Sequence, residues 1–292
     1  MSKSNIESYP PMFRPSSADP TRQPDLNDSE SSGAGISDLP LIDMMCLDIE
    51  KLDKACREWG IFRLENHGVP TVVLSQLQEH AKRIFKLSFE AKQSLVNSNC
   101  PIKYFWGTPA LTSSGIALPR ATNDALNMDW VEGLNVPFSQ LKYDHHHHHN
   151  LLINDFSNGE QAKGLHEHTD SSILSILSED QVGGLRFFKD EQWFKVKPNP
   201  TTLVVNLGDM MQVISDDEYK SVKHKVELNK EKERVSICYF VFPEENTLIH
   251  SSHFKPFTYN DFRAQVQLDL KTHGSKIGLV NFKLQHCQDH FA

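Results

Sequence analysis

The sequence has few cysteines and no long apolar run, and these shortages exclude several classes of protein. Its 292 residues include five scattered cysteines with no C-x-x-C pair: Cys46, Cys56, Cys100, Cys238 and Cys287. A disulfide framework and a zinc ribbon both need paired cysteines, so neither is predicted. The thiols are expected to stay reduced in the cytoplasm, with the nucleus left open. No apolar stretch has the length that crossing a bilayer requires.

Basic residues are also in short supply. The chain carries 30 Lys and Arg against 38 Asp and Glu, which gives a formal net charge of −8. A nucleic acid or an anionic membrane surface is bound through a basic face, so neither partner is expected. The length suffices for one large domain with a substantial core, and we expect a monomer.

Local patterns predict where folded structure lies. Residues 1–37 are rich in Ser, Pro, Asp and Asn without an apolar segment typical of a signal peptide, which predicts a disordered tail. Apolar side chains at helical spacing predict helices over 48–59, after Pro70 and over 259–270. Thr258 and Asn260 are both candidate caps of the last helix. Residues 101–138 combine small and aromatic residues, which favours a loop-rich flap over a pocket, although the aromatics would equally suit a core.

Three potential metal ligands follow in order. Residues two apart on an extended strand point to the same side, so His168 and Asp170 are expected to converge. His224, from a distant strand, would complete a set of two histidines and one carboxylate. Such a set leaves coordination positions open and suits Fe(II), whereas structural zinc usually takes more sulfur or nitrogen. Each residue alone is a weak signal, and the ordered set carries the prediction. His166 would crowd the site as a further ligand and is left out.

An arginine and a serine share a face of a later strand. Arg234 and Ser236 lie two apart in a β-branched and aromatic segment typical of a strand, so both should point inward. A buried guanidinium is costly unless it meets an anion, and its fork pairs bidentately with a carboxylate. A dicarboxylate co-substrate fits that requirement.

These motifs resemble the plant Fe(II)/2-oxoglutarate-dependent dioxygenases, and within them the gibberellin oxidase-like group. The similarity spans about 38–285 and is carried by Trp-Gly-Thr-Pro-Ala (106–110), Trp-Val-Glu-Gly-Leu-Asn (130–135), Gly-Leu-His-Glu-His-Thr-Asp (164–170), Val-Gly-Gly-Leu-Arg-Phe (182–187), Val-Val-Asn-Leu-Gly-Asp (204–209) and Lys-Glu-Arg-Val-Ser-Ile (232–237).

The resemblance implies a mainly β fold with flanking helices (α+β), built on a double-stranded β-helix or jelly-roll core. It implies five regions: a disordered tail (1–37), an N-terminal α/β region with the flap (38–141), a shortened linker (142–163), the catalytic core (164–245) and a C-terminal loop and helix (246–292). It places Fe(II) on His168, Asp170 and His224, and the distal carboxylate of 2-oxoglutarate on Arg234 and Ser236. Dioxygen would be the other co-substrate and ascorbate the reductant.

The segment 139–163 departs from the family pattern. A core helix is expected there, but a run of five histidines, His145–His149, stands in its place and favours a flexible surface tract. Phe156 occupies the position at which a tyrosine that binds 2-oxoglutarate is expected, so one hydroxyl contact would be lost. An absent helix would also leave apolar surface uncovered.

The resemblance implies hydroxylation of a small hydrophobic carboxylic acid, with release of succinate and carbon dioxide. A gibberellin or gibberellin precursor is the first choice of substrate. A flavonoid, an alkaloid or another hormone stays open, because a fold does not determine a substrate. A shortened regulatory or binding form with little turnover also stays open, supported by the departures in 139–163.

Overall fold

A computed structural model describes residues 3–14, 36–97, 102–107, 128–137, 148–155, 164–229 and 231–284. Its strands are β1 (Ile36–Ser37), β2 (Leu41–Asp43), β3 (Ile61–Glu65), β4 (Lys103–Trp106), β5 (Val131–Pro137), β6 (His148–Asp155), β7 (Leu174–Glu179), β8 (Leu185–Lys189), β9 (Gln192–Val196), β10 (Leu203–Leu207), β11 (His224–Val226), β12 (Arg234–Val241), β13 (Leu248–Ile249) and β14 (Phe257–Thr258). Its α-helices are α1 (Ile49–Glu58), α2 (Thr71–Phe85), α3 (Phe89–Asn97), α4 (Asp209–Ile214) and α5 (Tyr259–His273), and 3₁₀ helices span Lys3–Ser8, Pro11–Phe13 and Gly278–Phe282. Within these ranges, no helix combines the length and apolar character needed to cross a membrane.

Two sheets enclose the main core. The larger has eight strands in the order β2-β3-β10-β7-β12-β6-β5-β4, and the smaller has four in the order β1-β9-β8-β11. Leu177 and Val204 of the larger sheet pack in one cluster with Phe187 and Val226 of the smaller. The predicted mainly β fold with a jelly-roll core and flanking helices is confirmed.

Helices cover the opposite face of the larger sheet. Phe85 of α2 and Phe89 of α3 pack against Val235 and Ile237 of β12. Side chains alternate along a strand, so burial of Val235 and Ile237 under the helices turns the alternate residues of β12 toward the space between the sheets. This alternation positions Arg234 and Ser236 inside.

The predicted helices near both ends of the chain are confirmed, and local chemistry explains their limits. The Asp48 side chain accepts a hydrogen bond from the backbone at the start of α1. Gly60 follows that helix at φ +65°, and a Cβ there would lie 2.2 Å from a backbone oxygen. Thr258, rather than Asn260, caps α5 and forms a reciprocal capping box with Asp261.

Part of the predicted disordered tail is folded. Phe13 is fully buried, with its ring stacked on Trp130 at a centroid distance of 4.8 Å and edge-on to Trp106 at 5.7 Å. The expectation of disorder is therefore wrong for residues 3–14. Composition averages over the whole segment and misses one short aromatic anchor with a large apolar surface to bury. Residues 15–35 lie outside the described ranges.

The predicted flap over 101–138 is also corrected where the structure describes it. Residues 103–106 and 131–137 form paired strands at one end of the larger sheet. Their polar groups are satisfied inside the protein, since buried Glu132 accepts hydrogen bonds from Lys92 and from the Tyr104 hydroxyl. Aromatic side chains here build core, the alternative that composition had left open.

Other parts of the predicted flap and linker fall outside the described residues. The middle of the flap, 108–127, is among them, and so are Phe156 and residues 139–147 and 156–163 of the segment in which a helix was expected. The last two histidines of the His run, His148 and His149, lie in β6 and pair with β12.

Candidate metal centre and anion clamp

His168 and Asp170 lie in a connection that precedes β7, not in a regular strand as expected. They nevertheless approach His224, because the backbones of His168 and His224 form an isolated antiparallel bridge. Nε2 of each histidine lies 3.7 Å from Oδ1 of Asp170. All three ligand atoms fall within 4.8 Å of one another. The bridge, rather than strand alternation, brings the three predicted ligands together.

Hydrogen bonds at the far side of each ring set the histidine tautomers. Nδ1 of His168 lies 2.7 Å from the carbonyl oxygen of His166, and Nδ1 of His224 lies 3.1 Å from that of Val222. A carbonyl can only accept, so each Nδ1 carries the proton. Each Nε2, on the side of the ring near Asp170, is left with a free lone pair, as a metal ligand requires.

A hydrogen bond to one oxygen of the Asp170 carboxylate fixes its orientation. Its Oδ2 accepts a hydrogen bond of 2.7 Å from the Ser175 hydroxyl, which in turn accepts one of 3.3 Å from Asn206 Nδ2. Oδ1 therefore faces the two histidines. Ser175 and Asn206 lie on adjacent paired strands of the larger sheet, so the orientation of the carboxylate is set by the sheet itself.

The protonation states expected at neutral pH suit a cation. Burial lowers the pKa of His168, and the nearby His224 lowers it further, so the His168 imidazole is neutral. Burial alone would raise the pKa of Asp170, but the neighbouring His224 and His168 outweigh it and the pKa is lowered. Two imidazole nitrogens and one carboxylate are the donor set of an open Fe(II) site.

A second set of contacts braces the connection that carries His168 and Asp170. The backbone N–H of Asp209 donates to the Asp170 carbonyl at 2.8 Å. Lys276 donates to the Thr169 carbonyl at 2.7 Å and forms an ion pair of 2.6 Å with Asp209. Gly208 permits this close approach, because a Cβ there would lie 2.2 Å from the backbone oxygen of Ser172. Strand β10, α4 and the C-terminal region thus fix the ligand connection.

Arg234 and Ser236 point the same way, as predicted. The Arg234 guanidinium is 3% exposed, and its Nη1 donates to the Ser236 hydroxyl at 2.9 Å. The sequence predicted that this guanidinium meets an external anion, but the protein already supplies one. Nη1 also donates to Oδ2 of Asp155 at 2.8 Å, and Nη2 lies 4.0 Å from Oε2 of Glu179.

Several residues around the site were not anticipated from the sequence. Asp129 contacts His166, whose carbonyl orients His168. Ser175 holds Asp170, and Asp155 pairs with Arg234. No spacing motif marks them: Asp129 and Asp155 act on residues 37 and 79 positions away, and Ser175 lies five positions after Asp170. His166 itself contacts Asp129 through its ring, which agrees with leaving it out of the ligand set.

Comparison with protein families finds two matches that together extend over 39–243. The model of the 2OG-Fe(II) oxygenase superfamily matches residues 137–243. The model described as the N-terminal region of a non-haem dioxygenase in morphine synthesis matches residues 39–155. The first match contains His168, Asp170, His224, Arg234 and Ser236.

Characterised plant proteins are similar along most of their length. Gibberellin 2-beta-dioxygenase 8 of Arabidopsis thaliana is 31% identical over 284 residues, which is 80% of this chain and 80% of that protein. Flavonol synthase/flavanone 3-hydroxylase of Matthiola incana is 25% identical over 278 residues, which is 77% of this chain and 96% of that protein. The names of these two relatives thus point to different substrates.

Among solved structures, JOX2 in complex with 2OG, Fe and JA superposes with a TM-score of 0.66. It is 23% identical, and the match covers 86% of this chain and 91% of JOX2. At that identity the likeness speaks to the fold alone.

Proposed function

The chain belongs to the 2OG-Fe(II) oxygenase superfamily, and from this premise we propose that it hydroxylates a gibberellin or a gibberellin precursor. The enzyme class is a 2-oxoglutarate-dependent dioxygenase that uses Fe(II) and O2 and releases succinate and carbon dioxide. The observation that carries the enzymatic part is the convergence of His168, Asp170 and His224, with each Nε2 lying 3.7 Å from the same carboxylate oxygen.

The residues present fit an iron ion. We propose that Nε2 of His168, Oδ1 of Asp170 and Nε2 of His224 hold it, because those three atoms are the ones left without a proton or another role. Ser175 would keep the carboxylate oriented, and the carbonyls of His166 and Val222 would keep both imidazoles in the required tautomer. Ascorbate would serve as the external reductant that keeps the iron ferrous.

A dicarboxylate co-substrate also has a fitting partner. We propose that Arg234 and Ser236 bind the distal carboxylate of 2-oxoglutarate. In support, the guanidinium is buried and shares a hydrogen bond with the Ser236 hydroxyl, and its Nε has no hydrogen-bond partner among the described residues. A charge-assisted pair with a carboxylate is the strong interaction that such a group offers.

When bound, iron and 2-oxoglutarate supply the oxidising chemistry, in which decarboxylation of the oxo acid is coupled to oxygen insertion into a substrate C–H bond. The protein's own part is to bind and orient. The braced ligand connection fixes His168 and Asp170 beside His224, and Asp170 and His224 are buried.

The choice of a gibberellin rests on similarity to the gibberellin 2-beta-dioxygenase of Arabidopsis thaliana. A diterpenoid carboxylic acid is small and largely apolar, which is the kind of ligand that a mainly apolar binding site accommodates. We further propose a cytoplasmic monomer with no nucleic-acid or membrane partner, in line with its net charge of −8. Light scattering coupled to size exclusion measures the monomer directly.

Two specific observations favour other functions. Similarity to a flavonol synthase/flavanone 3-hydroxylase supports a flavonoid as substrate. The internal partner of Arg234, Asp155, supports a regulatory or binding form with little turnover.

The deciding experiment measures succinate release by the purified protein with Fe(II), ascorbate and 2-oxoglutarate, with and without a panel of gibberellins analysed by mass spectrometry. We expect succinate that increases with substrate, and a product one oxygen atom heavier. Turnover of a flavanone but of no gibberellin would move the proposal to the flavonoid alternative. A folded protein that makes no succinate under any condition would favour the binding form.

A further inference from the structure

The guanidinium of Arg234 is already engaged by a carboxylate of its own protein. Asp155 and Arg234 are directly opposed in the antiparallel pairing of β6 and β12, so their side chains project to the same side of the sheet. Asp155 is 2% exposed, and its Oδ2 accepts the Nη1–H of Arg234 at 2.8 Å. The same Nη1 also reaches the Ser236 hydroxyl.

The charges around this pair do not balance. Arg234 and Arg63 contribute two positive charges, while Asp155, Glu179 and Asp180 contribute three negative ones when all are ionised. Glu179 is shared, with Oε1 at 3.1 Å from Arg63 and Oε2 at 4.0 Å from Arg234. An incoming distal carboxylate would add a fourth negative charge beside the same guanidinium. Like charges at such close range repel strongly where water is excluded.

A neighbouring buried ion pair shows what a purely structural pair looks like here. Lys92 and Glu132 lie on the opposite face of the same sheet, and the Glu132 carboxylate accepts from Lys92, the Tyr104 hydroxyl and Asn154. Both of its oxygens are used.

The Asp155 pair, in contrast, is only partly satisfied. Asp155 Oδ1 and Arg234 Nε have no hydrogen-bond partner among the described residues, although both are buried. Buried polar atoms are nearly always bonded, so orphans on both members of one pair indicate that a ligand completes the arrangement.

We propose that Asp155 is an internal competitor for the co-substrate. Its carboxylate occupies the Arg234 guanidinium in the absence of 2-oxoglutarate, and the distal carboxylate of 2-oxoglutarate must displace it to bind. Asp155 thereby weakens co-substrate affinity and makes the enzyme responsive to the concentration of 2-oxoglutarate. This inference rests on the proposed role of Arg234 and Ser236.

The test is direct binding of 2-oxoglutarate, measured by equilibrium dialysis of the full chain under anaerobic conditions with Fe(II). Asp155→Asn keeps the shape of the side chain and removes its charge. We expect the dissociation constant to fall by about tenfold or more, since a charged competitor for a charge-assisted hydrogen bond has been removed. Glu132→Gln is the matched control, because it also removes a buried paired carboxylate one strand away, and it should leave the constant unchanged.

A second ligand separates the contribution of Arg234 and Ser236 from that of the rest of the site. 2-Oxopentanoate has the carbon chain of 2-oxoglutarate with a methyl group in place of the distal carboxylate. Asp155→Asn should leave binding of 2-oxopentanoate unchanged, because that ligand makes no ion pair with Arg234. An equal gain for both ligands, or no gain for 2-oxoglutarate, would overturn the proposal.

Two further outcomes separate this inference from the proposed function. If Arg234→Ala abolishes binding of 2-oxoglutarate while Asp155→Asn and Asp155→Ala leave it unchanged, the function stands and the competitor role is wrong. If wild type and all variants fail to bind 2-oxoglutarate, both fail together. If neither Asp155 variant folds, Asp155 is a structural partner that cannot be displaced, which also refutes the proposal.

Discussion

The backbones of His168 and His224 are joined by a reciprocal pair of hydrogen bonds, with the His168 N–H donating to the His224 carbonyl at 3.0 Å and the His224 N–H donating back at 2.9 Å. These two bonds connect β11 of the smaller sheet to the connection that precedes β7. The candidate metal centre therefore sits where both segments are held in register before any ion binds. Preorganisation of this kind reduces the entropy that metal binding must overcome.

Removing either histidine ligand should abolish iron-dependent turnover. We expect His168→Ala and His224→Ala to lower succinate release by at least about 100-fold, because a missing ligand should cost no less than a missing outer partner. Iron content by mass spectrometry should fall in parallel. His80→Ala, on the exposed surface of α2, is the control and should retain both iron and activity. Full activity in both ligand variants would remove the site assignment.

The Ser175 hydroxyl, which donates to the Asp170 carboxylate, should strengthen metal binding. Ser175→Ala removes the hydrogen bond to Oδ2, and we expect metal affinity to weaken by about 10- to 100-fold. Ser178→Ala is matched to it, since Ser178 is a buried serine of the same strand whose hydroxyl has no partner among the described residues. Competition against a fluorescent chelator measures both. Equal losses in the two variants would point to a general effect of the strand.

Replacing Arg234 should affect both the co-substrate and the fold. Arg234→Lys keeps the charge but loses the planar fork, so the KM for 2-oxoglutarate should rise strongly. Arg234→Ala should raise it further and destabilise the protein by about 3–5 kcal/mol, because buried Asp155 and Glu179 lose their counter-ion. Steady-state kinetics and chemical denaturation check the two effects. An unchanged KM in both variants would contradict the proposal that Arg234 binds the distal carboxylate of 2-oxoglutarate.

The folded N-terminal segment can be tested by truncating its anchor. Phe13→Ala leaves a cavity between Trp106 and Trp130, and we expect the free energy of unfolding to fall by about 3–5 kcal/mol. The neighbouring Met12 is 39% exposed, so Met12→Ala should cost much less. Denaturant titration of both variants decides the matter, and equal small effects would restore the expectation of a disordered tail.

The surface carboxylate of Asp216 should make the stability of the protein depend on pH in the acid range. Hydrogen bonds from Ser251 and Ser252 lower the pKa of Asp216 to about 2. An aspartate whose pKa is lowered on folding stabilises the protein above its unfolded pKa and loses that effect as pH falls toward the folded one. The stability difference between wild type and Asp216→Asn should thus be present at pH 7 and disappear between about pH 4 and pH 2. A difference that persists at pH 2 would rule out this origin.

Local features of the chain were predictable because their causes are local. Asp48 and Thr258 cap α1 and α5 through side chains that lie next to the backbone they bind. The alternation of side chains along β12 correctly predicted that Arg234 and Ser236 point to the same side of the strand. The tail and flap predictions used composition in place of periodicity and were wrong for residues 3–14 and for the described part of the flap, since Phe13 of the tail and Tyr104 and Phe105 of β4 are buried.

The sequence by itself determined the ordered set of His168, Asp170 and His224, the inward pair on β12 and the reaction class that their chemistry implies. Only the tertiary structure decided what stands opposite Arg234. That residue is Asp155, 79 positions away, and the register between β6 and β12 brings them together. Register depends on the pairing of whole strands and on the closure of both sheets around a shared core, and such long-range packing leaves no signal in the spacing of residues along the chain.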